Sequence, residues 1–172
     1  MQNKKLAFGM MRLPQLDDNP EDVDLEKTCE MVDAFLQKGY TYFDTSYVYH
    51  NGKSEEFTRK ALVERHPRES FTLATKLPTW AIKSEEDVKR IFAEQLQNCG
   101  VDYFDYYLVH NLNSGFYDNI VTPYHIFEIL SEYKKEGKIK HLGFSVHDAP
   151  EFLERILNEH PEVEFVQIAF NY

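Results

Sequence analysis

The sequence predicts an α/β fold, a (β/α)8 TIM barrel that is truncated after strand six. Three observations support this prediction. Short apolar runs alternate strictly with stretches of helical period, which is typical of parallel strands covered by helices. Reactive polar residues follow several different strands, as they do at the mouth of a barrel. The first predicted strand leads into FGMMRLP, which lacks the G-x-G-x-x-G turn of an open dinucleotide-binding sheet.

The predicted strands are six β-rich runs of suitable length: KLAFGM, YTYFD, FTLATK, YFDYYLVH, IKHLGFSV and VEFVQIAF. Five helices are predicted between them. The first places one apolar face toward the sheet and ends at Gly39, with the face formed by Leu25, Cys29, Val32, Phe35 and Leu36. Ser54 and Ser84 are predicted N-caps of the next two helices. The last two helices begin near Pro123 and Pro150.

The composition and charge of the chain limit the partners and the cellular location that it can be expected to have. The chain has 172 residues, 42% of them hydrophobic, and a net charge of -10, which disfavours nucleic acids and anionic membranes as partners. No run is long enough to cross a bilayer, and no secretory signal is recognisable. Cys29 and Cys99 lie far apart in helical patterns, so we expect free thiols, no metal site and a cytoplasmic location. No linker or low-complexity segment appears, so residues 1–172 are expected to form one incomplete domain.

Four polar residues at or near strand ends have complementary chemistry. Asp44 ends strand two, Lys76 ends strand three, His110 ends strand four, and Tyr49 follows Asp44 by five residues. An ammonium beside a phenol lowers the phenol pKa from about 10, and a carboxylate keeps a buried ammonium charged. An imidazole can hydrogen-bond a substrate carbonyl. Each residue alone also has an ordinary explanation as a turn-former, a solvated lysine or a structural histidine, so the prediction depends on their joint occurrence.

The motifs themselves resemble those of the aldo-keto reductase family. FDTSYVYHNGKSEE is similar to the family signature, and ATK, DYFDYYLVH and GKIKHLGFSVHD resemble the next blocks in the correct order. The resemblance runs from about Phe8 to the last residue. It implies an oxidoreductase that reduces an aldehyde or ketone with a nicotinamide cofactor. Tyr49 would be the general acid, tuned by Lys76 and Asp44, and His110 would orient the carbonyl.

The resemblance also implies a set of cofactor-binding residues, namely Gly9, Met10, Asp44, Ser145 and Gln167. Ser145 and Gln167 would hold the nicotinamide carboxamide. Val146 stands where the family often has asparagine. NADP(H) is the expected cofactor, with NAD(H) as the alternative. The chain is most similar to a branch with a C-terminal ferredoxin-like domain, but it has no Cys-x-x-Cys run, so an iron–sulfur cluster would belong only to sequence outside these residues.

Two functional hypotheses remain open at this point. A closed barrel has eight strands and about 250 residues, and the family's cofactor phosphate contacts follow strands seven and eight. The chain is therefore either part of a reductase or a non-catalytic nicotinamide-binding or interaction fragment that lacks the phosphate site. Open edges on strands one and six predict self-association. The long loop 110–123, with Phe116 and Tyr117, is expected to face a small carbonyl substrate. Trp80 is expected either to line the same mouth or to pack against a helix at the rim.

Overall fold

The computed structural model describes residues 5–169, and within them six strands follow one another in the sheet in chain order, from β1 to β6. The strands pair in parallel, as predicted, in the pairs β1–β2, β2–β3, β4–β5 and β5–β6. The strands are β1 Ala7–Gly9, β2 Tyr42–Asp44, β3 Thr72–Pro78, β4 Phe104–Leu112, β5 Ile139–Val146 and β6 Phe165–Ile168.

All five predicted helices are present, and one short helix had no sequence prediction. The helices are α1 Leu25–Gln37, α2 Ser54–Thr58, α3 Glu85–Cys99, α4 Ser114–Phe116, α5 Ile126–Lys135 and α6 Pro150–Glu159. A π-helical turn, Arg59–Val63, continues α2, and another, Tyr117–Val121, continues α4. The predicted loop 110–123 is therefore partly helical. The apolar pattern of the sequence does not reveal these helical turns.

The predicted helix starts had mixed outcomes. Ser84 caps α3, because its Oγ accepts a hydrogen bond from the Asp87 N–H at 3.3 Å. The Ser54 prediction was wrong: that residue lies inside α2, and its hydroxyl bonds Thr45 Oγ1 at 2.9 Å instead of a helix N–H. The α5 prediction was also early, because α5 begins only after His125, which has a left-handed backbone with φ of 48°.

The chain packs as two compact units. The first comprises the residues up to Thr75 together with Gln95–Asp102. Its core is apolar and fully or nearly fully buried, with side chains from Val32, Phe43, Ala61, Leu62, Phe71 and Leu73. Phe35 packs edge-on against Phe43, with ring centroids 5.3 Å apart. Of the predicted apolar face of α1, only Val32 is fully buried, and the other members are half-buried.

The second unit comprises Lys76–Glu94 and the residues from Tyr103 onward. Its buried core includes Val88, Ile91, Phe92, Phe104, Tyr107, Leu108, Phe127, Leu130, Phe144 and Ile156. Phe92 stacks on Tyr133 with centroids 4.3 Å apart. Gly143 on β5 lets β6 approach closely, because a Cβ there would lie 2.5 Å from the Phe165 carbonyl oxygen.

Cys29 and Cys99 are both free thiols, as predicted. Burial, followed by the nearby Glu55 carboxylate, raises the pKa of the Cys99 thiol. Between residues 5 and 169, the structure contains neither a helix that is long and apolar enough to cross a membrane nor a cluster of potential metal ligands.

Candidate active site

The predicted catalytic residues divide between the two units, with Asp44 and Tyr49 in the first. Asp44 is the last residue of β2 and is 8% exposed. It stands in register with Gly9, the last residue of β1, and with Ala74 on β3. Immediately after β2, the Thr45 N–H donates a hydrogen bond to the Ala74 carbonyl oxygen, at 2.9 Å. The carboxylate therefore lies at the carboxyl end of the parallel strands, as expected.

Tyr49 opens the 3-10 turn Tyr49–Gly52 and is half-buried. The residue after it, His50, is buried and has a left-handed backbone with φ of 52°. Its Nδ1 lies 2.8 Å from the Pro20 carbonyl oxygen, and its Nε2 lies 3.0 Å from the Met10 carbonyl oxygen. This buried ring ties the turn to the segment that follows β1. The phenol of Tyr49 is thus carried by a loop with a defined position in its own unit.

A buried carboxylate, Glu55, also supports this loop. Glu55 has no exposed surface and accepts hydrogen bonds from Thr75 Oγ1 at 2.7 Å, Gln95 Nε2 at 2.8 Å and Asn98 Nδ2 at 3.3 Å. The sequence analysis did not identify this residue as buried or as part of the site. The signal was its spacing: Glu55 lies three residues before Thr58, on the buried face of the helix.

Two other expected cofactor contacts lie at the end of β1. A Cβ at Gly9 would meet no atom within 4 Å, so the backbone there is open to a flat ligand. Met10 is fully buried, and its carbonyl oxygen accepts from Ser54 Oγ at 3.4 Å as well as facing His50.

In the second unit, Lys76 and His110 influence each other electrostatically. Lys76 lies on β3 and is 1% exposed, whereas His110 lies on β4 and is half-buried. Burial lowers the pKa of His110 to about 4, and the positive charges of Lys76 and then His147 add to this effect. At neutral pH His110 is therefore an uncharged imidazole, which can act both as a hydrogen-bond donor and as an acceptor.

The predicted rim residue Trp80 packs beside His110. The two rings lie 5.2 Å apart, and the Trp80 ring lies 6.4 Å from that of Phe116. Tyr117 is different. It is buried, and its hydroxyl lies 2.6 Å from Glu159 Oε2 and 2.7 Å from His160 Nε2. Tyr117 therefore packs against the C-terminal end of α6 and is not exposed to a substrate there.

The two residues expected to hold a nicotinamide carboxamide are neighbours. Ser145 on β5 is paired in register with Gln167 on β6. Ser145 is 5% exposed, and its Oγ accepts a hydrogen bond from the Asn111 N–H at 2.8 Å, which leaves its proton to donate. Gln167 is exposed and Val146 is buried. A hydroxyl and an amide on adjacent strands fit a planar carboxamide, which needs both a donor and an acceptor.

Comparison with known proteins gives consistent findings. Residues 5–172 match the model of the Aldo/keto reductase family. "Probable aldo-keto reductase 1" of Glycine max is 30% identical over 97% of this chain and 48% of its own length. "NADH-specific methylglyoxal reductase" of Escherichia coli is 28% identical over 81% of this chain and 48% of its own length.

Among solved structures, an aldo-keto reductase from Klebsiella pneumoniae in complex with NADPH superposes with a TM-score of 0.77 and 22% identity, covering 95% of this chain and 53% of the other. This likeness establishes the fold, the aldo-keto reductase type of (β/α)8 barrel, of which this chain contains six strands. The chain spans about half the length of the curated relatives it matches.

Proposed function

Because this chain belongs to the aldo-keto reductase family, we propose that it contributes to an NAD(P)H-dependent oxidoreductase that reduces a small aldehyde or ketone to an alcohol. The observation that carries the proposal is the state of His110. A neutral imidazole that is half-buried, with Trp80 against its ring, is suited to donating a hydrogen bond to a carbonyl oxygen.

We assign the chemical roles residue by residue. Tyr49 donates a proton to the carbonyl oxygen as negative charge develops there. Lys76 and Asp44 tune that phenol, the ammonium by favouring the phenolate and the carboxylate by keeping the ammonium charged. His110 directs the carbonyl. The buried positions of Asp44 and Lys76 support these roles, since a buried charged group requires partners of opposite sign or hydrogen bonds.

We propose that the cofactor's carboxamide is held by Ser145 and Gln167, and that Gly9, Met10 and Asp44 line the rest of the nicotinamide site. When bound, the nicotinamide supplies the hydride. Ser145 donates its remaining proton to the carboxamide oxygen, and the Gln167 side-chain amide offers both a donor and an acceptor. NADP(H) is the first choice, supported by the NADPH complex of the Klebsiella pneumoniae structure. The NADH-specific relative from Escherichia coli keeps NAD(H) as the alternative.

Partners and location follow the same reasoning. The net charge of -10 supports a small-molecule substrate over nucleic acid. The two free thiols support a cytoplasmic location.

β1 and β6 are the outermost strands in the strand order. Leu6, just before β1, and Ile168, in β6, are each more than half exposed, which supports self-association through these edges. Sedimentation velocity of the 172-residue chain should show dimers or larger species, and a monomer at all concentrations would remove this part of the proposal.

The central test is the loss of NADPH absorbance with a panel of short-chain aldehydes, using Tyr49→Phe against Tyr47→Phe. Both tyrosines are half-buried and two residues apart, so the pair is closely matched. Tyr49→Phe should reduce turnover by about 100-fold or more, because the proton donor is lost, while Tyr47→Phe stays near wild type. Unchanged turnover in Tyr49→Phe would overturn its role. Absent turnover together with retained nicotinamide binding would favour the non-catalytic alternative.

A further inference from the structure

We propose that Ser145 is a positioning residue for His110, because its hydroxyl holds in place a β-bulge that sets where the imidazole points. The positioning itself is independent of catalysis. Its consequence for carbonyl reduction rests on the role proposed for His110 above.

The bulge lies in β4, at the residues that face Ser145. Val109 is paired with Phe144, and the next pair joins Leu112 to Val146. Between these two pairs β4 has two residues and β5 has one, so His110 and Asn111 together oppose Ser145. An extra residue in one strand bends that strand and turns its neighbours' side chains, and such bulges are frequent beside active sites.

The bulge depends on side chains for its backbone hydrogen bonds. Asn111 has a left-handed backbone with φ of 54°, a conformation that residues other than glycine adopt only when their surroundings hold them there. Its N–H donates to Ser145 Oγ at 2.8 Å, and its carbonyl accepts from Asn113 Nδ2 at 3.3 Å. The Ser145 hydroxyl therefore satisfies a donor that the change of register takes out of the regular β-ladder.

Two further contacts hold His110, which lies in the bulge. Its carbonyl oxygen accepts a hydrogen bond from Thr79 Oγ1, and its ring packs against Trp80. Without Ser145 Oγ the part-buried Asn111 N–H would lose its acceptor, which is unfavourable. The peptide can recover that free energy by turning the Asn111 N–H toward water. Such a turn rotates the adjoining His110 away from Lys76 and out of its half-buried position.

The test is an NMR titration of the His110 ring in the 172-residue chain without cofactor. Lys76 and His147, which besides burial lower the pKa of His110, are present in every variant. Wild-type His110 should titrate at about 4, and Ser145→Ala should raise that midpoint by about one pH unit or more toward 6.5. Ser145→Thr keeps the oxygen and should restore the low midpoint. Ser131→Ala is the matched control, because the Ser131 hydroxyl is buried and makes no hydrogen bond among the described residues.

An unchanged His110 midpoint in a folded Ser145→Ala variant would overturn the proposal, as would an equal shift in Ser131→Ala. If Ser145→Ala does not fold, Ser145→Cys replaces the oxygen with a weaker acceptor, and an intermediate rise is expected; no rise would overturn the proposal. The titration involves no turnover. Failure of the reductase assay would therefore overturn the proposed function while leaving this result to stand or fall separately.

Discussion

The loop that carries Tyr49 and the strand that carries His110 are held by different means. In the first unit, buried polar side chains form a network: Glu55 accepts from three side chains, and the hydroxyls of Thr45 and Ser54 bond each other at 2.9 Å. In the second unit, His110 is held through main-chain groups, by Thr79 at its own carbonyl and by Ser145 at the next N–H.

The difference predicts where a mutation will be felt. Removing a member of a buried polar network leaves several unpaired groups with no route to water, so the free energy of unfolding falls. A bulge near a half-exposed surface can relax locally, so its loss changes the environment of one side chain more than the stability of the unit. Substitutions around Glu55 should therefore mainly change stability, and those around Ser145 should mainly change the titration of His110.

The largest expected effect is that of Glu55→Ala. The substitution removes the acceptor that Thr75, Gln95 and the half-buried Asn98 share, and the loss of an acceptor by a buried donor costs about 1–3 kcal/mol. We expect the free energy of unfolding to fall by about 3–5 kcal/mol, measured by urea denaturation.

The matched control is Glu56→Ala, one residue along the same helix. Its carboxylate is 44% exposed and pairs only loosely with Lys53, at 3.7 Å. This change should cost less than about 0.5 kcal/mol. Similar losses in the two variants would show that the buried network does not stabilise the loop in the way described.

The second effect is the pH dependence that arises from His110. Its folded-state pKa of about 4 lies below the ordinary 6.5, mainly because of burial. As pH falls from 6.5 to 4, the unfolded chain takes up a proton that the folded chain does not, so stability falls by up to about 3 kcal/mol across this window and levels off below it.

The variant His110→Gln removes this titration, and its urea midpoint should change less between pH 7 and pH 4.5 than that of wild type. His125→Gln is the control, because the His125 side chain is 60% exposed and its partner Glu85 is also at the surface. The His110 account would fail if His125→Gln flattened the pH profile as much as His110→Gln does.

A smaller effect is expected at Thr79. Thr79→Val keeps the shape of the buried side chain and removes the hydroxyl that donates to the His110 carbonyl. Stability should fall by about 1 kcal/mol, the usual net value of one hydrogen bond. Thr72→Val, which loses a 3.3 Å bond at a half-buried position, should cost less. Equal costs would mean that the hold on His110 is no stronger than an ordinary strand contact.

Sequence patterns anticipated the framework of both regions but not what holds them. The strands and the α3 face were predictable, because burial of residues such as Val88 and Phe92 follows from apolar periodicity. The end of β2 at Asp44 was predictable for the same reason. The ends predicted at Lys76 and His110 were wrong, because β3 runs on to Pro78 and β4 to Leu112. The role of Ser54 was not, since a serine before acids reads as an N-cap unless its neighbour Thr45 is already known to lie beside it.

The bulge was also beyond reach of the sequence. VHNLN reads as a continuous strand with a polar end, and only the register against β5 reveals the extra residue at Asn111. The same limit applies to Tyr117, which is buried through contacts with Glu159 and His160, more than forty residues away in the sequence. The local periodicity of a sequence predicts its helices and strands, whereas the orientation of individual side chains depends on contacts between distant segments.

The smallest effect is expected at Asp33. Its carboxylate forms a hydrogen-bond network at the surface, which can be compared with the buried network of Glu55. Asp33 accepts hydrogen bonds from Arg65 at 2.7 Å and 3.0 Å and lies 2.8 Å from His66 Nε2, but about a third of its side chain is exposed. The Arg65 hydrogen bonds hold the pKa of Asp33 below its usual value. The stabilisation by the Asp33 carboxylate is therefore present above about pH 4, where the unfolded carboxylate is also ionised, and is lost as the pH falls through the lowered pKa.

Solvent screening limits the stability lost in Asp33→Asn to less than about 1 kcal/mol at pH 7. Urea denaturation at pH 7 and at pH 3 should show the difference from wild type shrinking at the lower pH. A loss at pH 7 as large as that of Glu55→Ala would mean that burial does not distinguish the two networks.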